Sequence, residues 1–291
     1  MNKALVIRAA SGLGSSIAEE LASRGIAVTV MTTKEGKPKR RLTQLQDATI
    51  MQGSRYSKED IVRAGEGADT IFFHANTTYD EKAKVGESLQ AVAAAAGMLG
   101  AKLIIADGRY RTLLPQYEQL LKDVHEINAA STIVVRLSEL YGANARNTPL
   151  HYSFKQIAKG NAGIELGDMN VAGDYMYLPD AARAIVDLAL QEEAYGKGIQ
   201  RLTGMQPISG SELMGIMSCA SGVALKARRL SGWKLSLLGM IEGEEWTERL
   251  KMVDQLAKDE AGEARIDVLL AAITPHDAAV RETFAMLAKS R

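Results

Sequence analysis

The sequence is short of several things. It has one cysteine, Cys219, in 291 residues. No internal disulfide can form, which points to a reducing, cytoplasmic setting. Its four histidines, His74, His125, His151 and His276, are scattered with no metal-ligand spacing, so no metal centre is expected. Net charge is absent too, because 35 basic residues balance 35 acidic ones. That balance leaves no electrostatic footprint for nucleic acid or a membrane surface. Long apolar runs are missing: stretches such as LIIA at 103–106 are far too short to cross a bilayer. The opening MNKALVIRAA begins like a signal peptide, but Gly12 and Gly14 interrupt it and it reads as a first strand. Neither a G-x-S-x-G elbow nor a G-x-x-x-x-G-K-[ST] phosphate loop occurs.

What is there is ordinary globular material, 46% hydrophobic and 24% charged, enough for one large α/β domain or two unequal lobes. Short apolar, β-branched runs alternate with helical patterns. Strands are expected at 4–9, 26–32, 48–52, 69–75, 101–107 and 131–137. Helices are expected at 15–25, 57–67, 80–100 and about 113–129, with Gly25 stopping the first. Strands that read as continuous apolar runs, separated by helices, imply a parallel sheet covered on both faces. After LYGANARN (140–147) the rhythm changes. Helices are expected at 151–161, at 179–193 with proline in its first turn, and at 209–222 capped by Ser209 or Ser211. A last helix starts at Thr274 and Pro275. The boundaries are a Rossmann-type domain over 1–150 and a mixed α/β lobe over 151–291, with some segments returning to the first domain.

The turn between the first strand and first helix reads Ser11-Gly12-Leu13-Gly14. A helix N-terminus offers unpaired N–H groups and a partial positive charge, and glycine lets a pyrophosphate approach the backbone. In an alternating α/β chain this turn is a nucleotide-binding candidate; the plain alternative is a loop with a helix cap. The second strand ends in Thr32-Thr33-Lys34, and no carboxylate appears before Glu35. An acidic residue there would repel a ribose 2′-phosphate, so NADP(H) is favoured and NAD(H) is the alternative. The basic run KEGKPKRR (34–41) is otherwise a solvated loop.

Several segments carry a resemblance. GADTIFFHAN (67–76), STIVVRLSELYGA (131–143), GDMNVAGDYMYLPDAARAIVDLAL (167–190), ISGSELMGIMSCASGV (208–223) and ITPHDAAVRETFAML (273–287) follow one another in family order. Together they resemble the extended and atypical short-chain dehydrogenase/reductases, the NAD-dependent epimerase/dehydratase group. Arg8 stands where the family's T-G-x-x-x-G-x-G has its first glycine, and its guanidinium points either outward or to a phosphate. The resemblance implies a Rossmann domain with a small C-terminal substrate lobe. It places Ser11, Gly12, Leu13 and Gly14 at the pyrophosphate and Thr33 and Lys34 at the adenosine end. His74, Ala75 and Asn76 then lie near the nicotinamide ribose. It also implies a small-molecule substrate and a homodimer built across two long helices.

The family's chemistry uses a tyrosine and a lysine four residues later on one helix face, so that the ammonium eases ionisation of the phenol. Here Tyr117 and Lys122 are five apart, roughly 140° round a helix at about 100° per residue. Tyr110 has no lysine at the required interval, and Asp107 is either a base or a turn-former. Two readings stay open. In one, Tyr110 or Tyr117, supported by Lys122 or Asp107, serves an oxidoreductase or epimerase acting on a small carbonyl or sugar-nucleotide substrate. In the other, the chain is a non-catalytic NADP(H)-sensing or partner-binding protein. Lys226, Arg228 and Arg229 are candidates for a substrate diphosphate.

Overall fold

The computed structural model describes residues 1–9, 12–32, 45, 48–75, 85–108, 117–145, 149–163, 169–170, 172–203, 207–224, 267–269 and 272–289. In chain order the elements are β1 (Lys3–Ile7), α1 (Gly12–Ser23), β2 (Ala27–Thr32), β3 (Ala48–Gln52), α2 (Lys58–Ala64), β4 (Thr70–Ala75), α3 (Val85–Leu99), β5 (Lys102–Asp107), α4 (Tyr117–Ile127) and β6 (Thr132–Arg136). There follow β7 (Glu139–Tyr141), α5 (Pro149–Ala158), β8 (Ala172–Gly173), β9 (Tyr175–Tyr177), α6 (Leu178–Leu190), β10 (Ile199–Thr203), β11 (Ile208–Ser209), α7 (Gly210–Ser221), β12 (Asp267–Leu269) and α8 (His276–Lys289).

The chain divides into two units. The first comprises residues 1–137, 181–202 and 264–269, the second 138–180, 203–263 and 270–291. An eight-stranded sheet in the order β12-β10-β6-β5-β4-β1-β2-β3 organises the first unit. The seven strands from β10 to β3 pair in parallel throughout. All six strands expected from the sequence are present, and β10 and β12 add two that were not. The fold class is the Rossmann-type α/β sheet.

Alternation along the strands explains its two covered faces. Leu5, Ile7, Ile71, Phe73, Leu103 and Ile105 share one core with Leu89 and Val92 of α3 and Leu121 of α4. The residues between them, Val6, Phe72 and Ile104, are as deeply buried on the opposite face. Helix α1 packs against β1, β2 and β4. Its end is set by Gly25, whose φ of 73° is the left-handed conformation that glycine adopts at least cost. Ser57 caps α2 by accepting from the Asp60 N–H.

The second unit is built on α5, α7 and α8, which pack pairwise. Tyr141, Leu150, Phe154, Leu213, Met217 and Val280 form its core. Short strands β7 and β9 pair in parallel, and β8 and β11 antiparallel. Of the two serines expected to cap α7, Ser209 does so: it and Glu212 form a reciprocal capping box. Ser211 instead donates to the Met169 carbonyl. Asp180 accepts from the Thr274 N–H at 2.7 Å and from its hydroxyl at 2.9 Å, which fixes the chain just before α8. The Tyr141 hydroxyl and His276 Nδ1 share a hydrogen bond of 3.0 Å. Burial, followed by the charges of Asp180, Tyr177 and Asp277, pushes the Tyr141 phenol well above its ordinary range.

Candidate functional site

In an open α/β sheet, ligands bind outside the carboxyl ends of the strands where the strand order reverses. Here the reversal falls between β1 and β4, which are direct neighbours with Ile7 opposite Phe73. The next residues along the two strands are Arg8 and His74.

Arg8 has φ 63°, the one described non-glycine residue with positive φ. An L side chain in that region costs of order 1 kcal/mol or more, so the chain here adopts the backbone shape of a glycine with arginine in its place. Close packing follows directly. A Cβ on Gly14 would stand 2.6 Å from the Arg8 carbonyl oxygen and 3.0 Å from the Ala9 Cα. The first turn of α1 therefore rides against the β1 turn closely enough to require glycine at position 14. Ser15, also buried, donates to the Gly12 carbonyl at 2.9 Å. Leu13 is fully buried, so only its backbone is available to a ligand.

His74 is buried, and its Nδ1 has no hydrogen-bond partner among the described residues. Burial above all, with the Arg8 charge adding to it, lowers its pKa to about 3. The ring is neutral at any physiological pH. This gives a testable linkage. Between the ordinary value near 6.5 and about 3, the unfolded chain carries a proton at His74 that the folded chain does not. Stability is unaffected above pH 6.5 and falls as pH drops through that window, by up to about 1.4 kcal/mol per pH unit for this group. Urea unfolding of wild type and His74→Asn between pH 7 and 4 checks it. The expected result is a shallower acid-side slope in the variant; parallel slopes would contradict it.

Thr32, at the end of β2, is also buried, and its hydroxyl has no hydrogen-bond partner among the described residues. Ala75 ends β4 and lies opposite Asp107 of β5, which lies opposite Arg136 of β6. Asp107 is fully buried, and its carboxylate is 3.6 Å from Arg136 Nε, itself only 11% exposed. The structure thus brings Arg8, Gly12, Leu13, Gly14, His74, Ala75 and Asp107 to adjoining strand ends. Lys122 lies apart, on the exposed side of α4. Tyr117 opens α4, but its side chain lies outside the described residues, as do Ser11, Thr33, Lys34, Asn76 and Tyr110 entirely. Lys226, Arg228 and Arg229 lie outside them as well. No group of three or more His, Cys, Asp or Glu side chains suited to a metal occurs among the described residues.

Three residues were not singled out from the sequence: Arg136, Arg55 and Tyr56. Arg55 follows β3 in the turn GSRYS, is buried, and places its guanidinium 4.7 Å above the Tyr56 ring. It shares a small cleft with Arg8, Tyr56, Phe73, Ala75 and Ser88. A GSRYS stretch reads only as a turn, and no periodicity shows that it folds back onto β1 and β4.

Comparison with known proteins agrees with this architecture. The structure superposes on dTDP-glucose 4,6-dehydratase from Bacillus anthracis in complex with NAD, with a TM-score of 0.74, 10% identity, and coverage of 100% of this chain and 98% of the other. A UDP-glucuronic acid 4-epimerase variant from Bacillus cereus, in complex with NAD and a fluorinated UDP-sugar, gives 0.73 at 13% identity over 99% and 100%. UDP-glucose 4-epimerase from Thermotoga maritima with UDP-glucose gives 0.69 at 14% identity, over 99% of both chains. All three share the Rossmann-type α/β fold of this chain. A sequence model of the NmrA-like family also matches residues 1–101, the part of this fold that holds the glycine turn and β4. A search of curated proteins gives no match. No helix among the described residues is long and apolar enough to cross a membrane.

Proposed function

We propose that the chain binds NAD(P)(H) at the β1–α1 turn and acts as an oxidoreductase or epimerase on a small carbonyl or sugar-nucleotide substrate. The observation that carries this is the fit of α1 to the turn. Gly14 leaves no room for a Cβ against the Arg8 carbonyl, and the helix N-terminus opens at the strand-order reversal. That arrangement suits a pyrophosphate held by backbone N–H groups. When bound, the cofactor supplies or accepts the hydride. The chain's own residues hold and orient it: Gly12 and Gly14 with Ser11 at the pyrophosphate, His74, Ala75 and Asn76 at the nicotinamide ribose. NADP(H) is the preferred form, because Thr32, Thr33 and Lys34 put no carboxylate where a 2′-phosphate would lie. Proton transfer falls to Tyr110 or Tyr117, with Asp107 fixed by Arg136 as a positioning residue. A homodimer in the cytoplasm belongs to the same reading.

A second reading, a nucleotide sensor without catalysis, is favoured by one observation. No tyrosine of the chain is followed four residues later by a lysine, so the helical spacing that couples phenol to ammonium is absent. Titration of the purified protein with NADPH and NADH, read by nucleotide fluorescence and melting temperature, tests the shared premise. Micromolar binding with NADPH preferred is expected, and a ligand at 100 times its Kd raises stability by about 2.7 kcal/mol. Binding of neither nucleotide would overturn both readings. Turnover of a carbonyl panel that disappears in Tyr110→Phe or Tyr117→Phe would select the enzyme over the sensor.

A further inference from the structure

A dinucleotide lies across an open α/β sheet at the crevice where the strand order reverses, and here the chain itself fills that crevice. Its walls are Arg8 after β1, Phe73 and Ala75 of β4, and Val85 and Ser88 in the first turn of α3. Arg55 and Tyr56 reach it from the turn after β3, which lies two strands from β1 at the edge of the sheet. The free space left is about 10 Å3, room for one water. Pockets that take whole drug-sized ligands measure roughly 300–1,000 Å3. No part of a nucleotide therefore shares the crevice with these two side chains as they stand.

The two side chains hold each other in place. Arg55 is buried, lies 4.7 Å above the Tyr56 ring and donates to the Tyr56 hydroxyl. A cation over an aromatic face is held more strongly as water is excluded. Beneath them the backbone of the turn is fixed. The Gly53 N–H donates to the Thr32 carbonyl at 2.9 Å, Ser54 N–H to Asp60 Oδ2 at 2.8 Å, and Ser57 N–H to the Ser54 carbonyl at 3.1 Å. The backbone of Arg8 is equally fixed, because its carbonyl packs under Gly14. What is left to move is side chain: rotation about the χ bonds of Arg55 and Tyr56 clears space without unfolding the turn. A wall that never opened would be better built from an apolar residue, which has no charge to desolvate. A buried arginine at this place suits a part that leaves it for water.

We propose that Arg55 and Tyr56 form an intramolecular plug that shuts the nucleotide crevice, so that NAD(P)(H) binds only the fraction of molecules in which the pair has swung out. This regulation rests on the nucleotide reading above. An affinity measured across such an equilibrium is the intrinsic one reduced by the open fraction. Weakening the pair raises that fraction, and does so alike for either dinucleotide.

The experiment titrates NADPH and NADH into wild type, Arg55→Ala, Tyr56→Ala and Tyr56→Phe. Tyr56→Phe is the mild change, keeping the ring and removing only the hydroxyl that Arg55 donates to. Both alanine variants should bind both dinucleotides about tenfold or more tightly than wild type, with Tyr56→Phe between. A second measurement needs no variant. Phenylglyoxal modification of Arg55 in wild type, read by peptide mass, should speed up severalfold when NADPH or NADH is added, because the plug leaves its buried place. An arginine that touched the nucleotide would be protected instead. Slower modification together with weaker binding by Arg55→Ala would overturn the plug and make Arg55 a ligand contact. Unchanged affinity in all three variants, with unchanged modification, would overturn the plug and leave the nucleotide reading standing. Binding of neither dinucleotide by wild type or any variant would overturn both.

Discussion

Replacing Arg136 by methionine is expected to destabilise the sheet unit by about 3–5 kcal/mol, because it removes a buried positive charge from beside the buried Asp107 carboxylate. Asp107 has no exposed surface, and its partner sits directly across the β5–β6 register at 3.6 Å. Much of the cost arises from keeping a buried charge with less compensation rather than from the lost attraction alone. The double variant Asp107→Leu, Arg136→Met should therefore recover most of the loss, and chemical denaturation of the four proteins of the cycle measures it. The outcome also bears on chemistry. A coupling of several kcal/mol makes Asp107 a clamp that holds the ends of β5 and β6 in register. An Arg136→Met protein as stable as wild type would instead return Asp107 to the list of candidate bases.

Gly14→Ala should have the next largest effect. The added methyl would meet the Arg8 carbonyl oxygen at 2.6 Å, and backbone atoms cannot swing aside as a flexible side chain can. Either α1 moves off β1 or the turn opens. Overpacking of this kind costs about 1–3 kcal/mol, and nucleotide affinity should fall with it by roughly tenfold or more, since the N–H groups of the turn shift together. Gly97→Ala is the matched control. Gly97 is also helical, in α3, but nothing lies within 4 Å of its added Cβ. There the helix propensity of alanine alone acts, and a gain of about 0.5–1 kcal/mol is expected. Thermal unfolding and NADPH titration of both variants separate close packing from propensity. Equal behaviour of the two would remove the case for a tight turn.

Strands β1, β2, β4, β5 and β6 were legible in the sequence because buried parallel strands read as unbroken apolar runs such as LVI, TIFF and LIIA, and the half-exposed edge strand β3 still showed as ATIMQ. Strand β10, IQRLT, was not. It carries an arginine and a glutamine, spans five residues and pairs with residues 65 positions earlier, so local pattern gives no hint of it. Strand β12 is three residues long, too short for any period to show. At the site, Arg8 was legible as a replaced glycine, but its left-handed backbone and its companion Arg55 were not. Residues 8 and 55 meet only through the order of strands in the sheet, which no spacing records. His74 was visible as a residue at a strand end; its neutrality comes from burial and from Arg8, both products of the fold.

The position of β10 has a consequence for how the chain is made. During synthesis, β6 emerges with one edge open, and its partner follows only after some 60 further residues. At roughly 5–20 residues per second, that edge waits several seconds on the ribosome with its N–H and C=O groups unpaired. An exposed parallel edge is a template for another nascent chain. Polysomes translating this message are therefore expected to need chaperone cover between residues 136 and 203, and a product cut at residue 150 should be recovered mainly as aggregate.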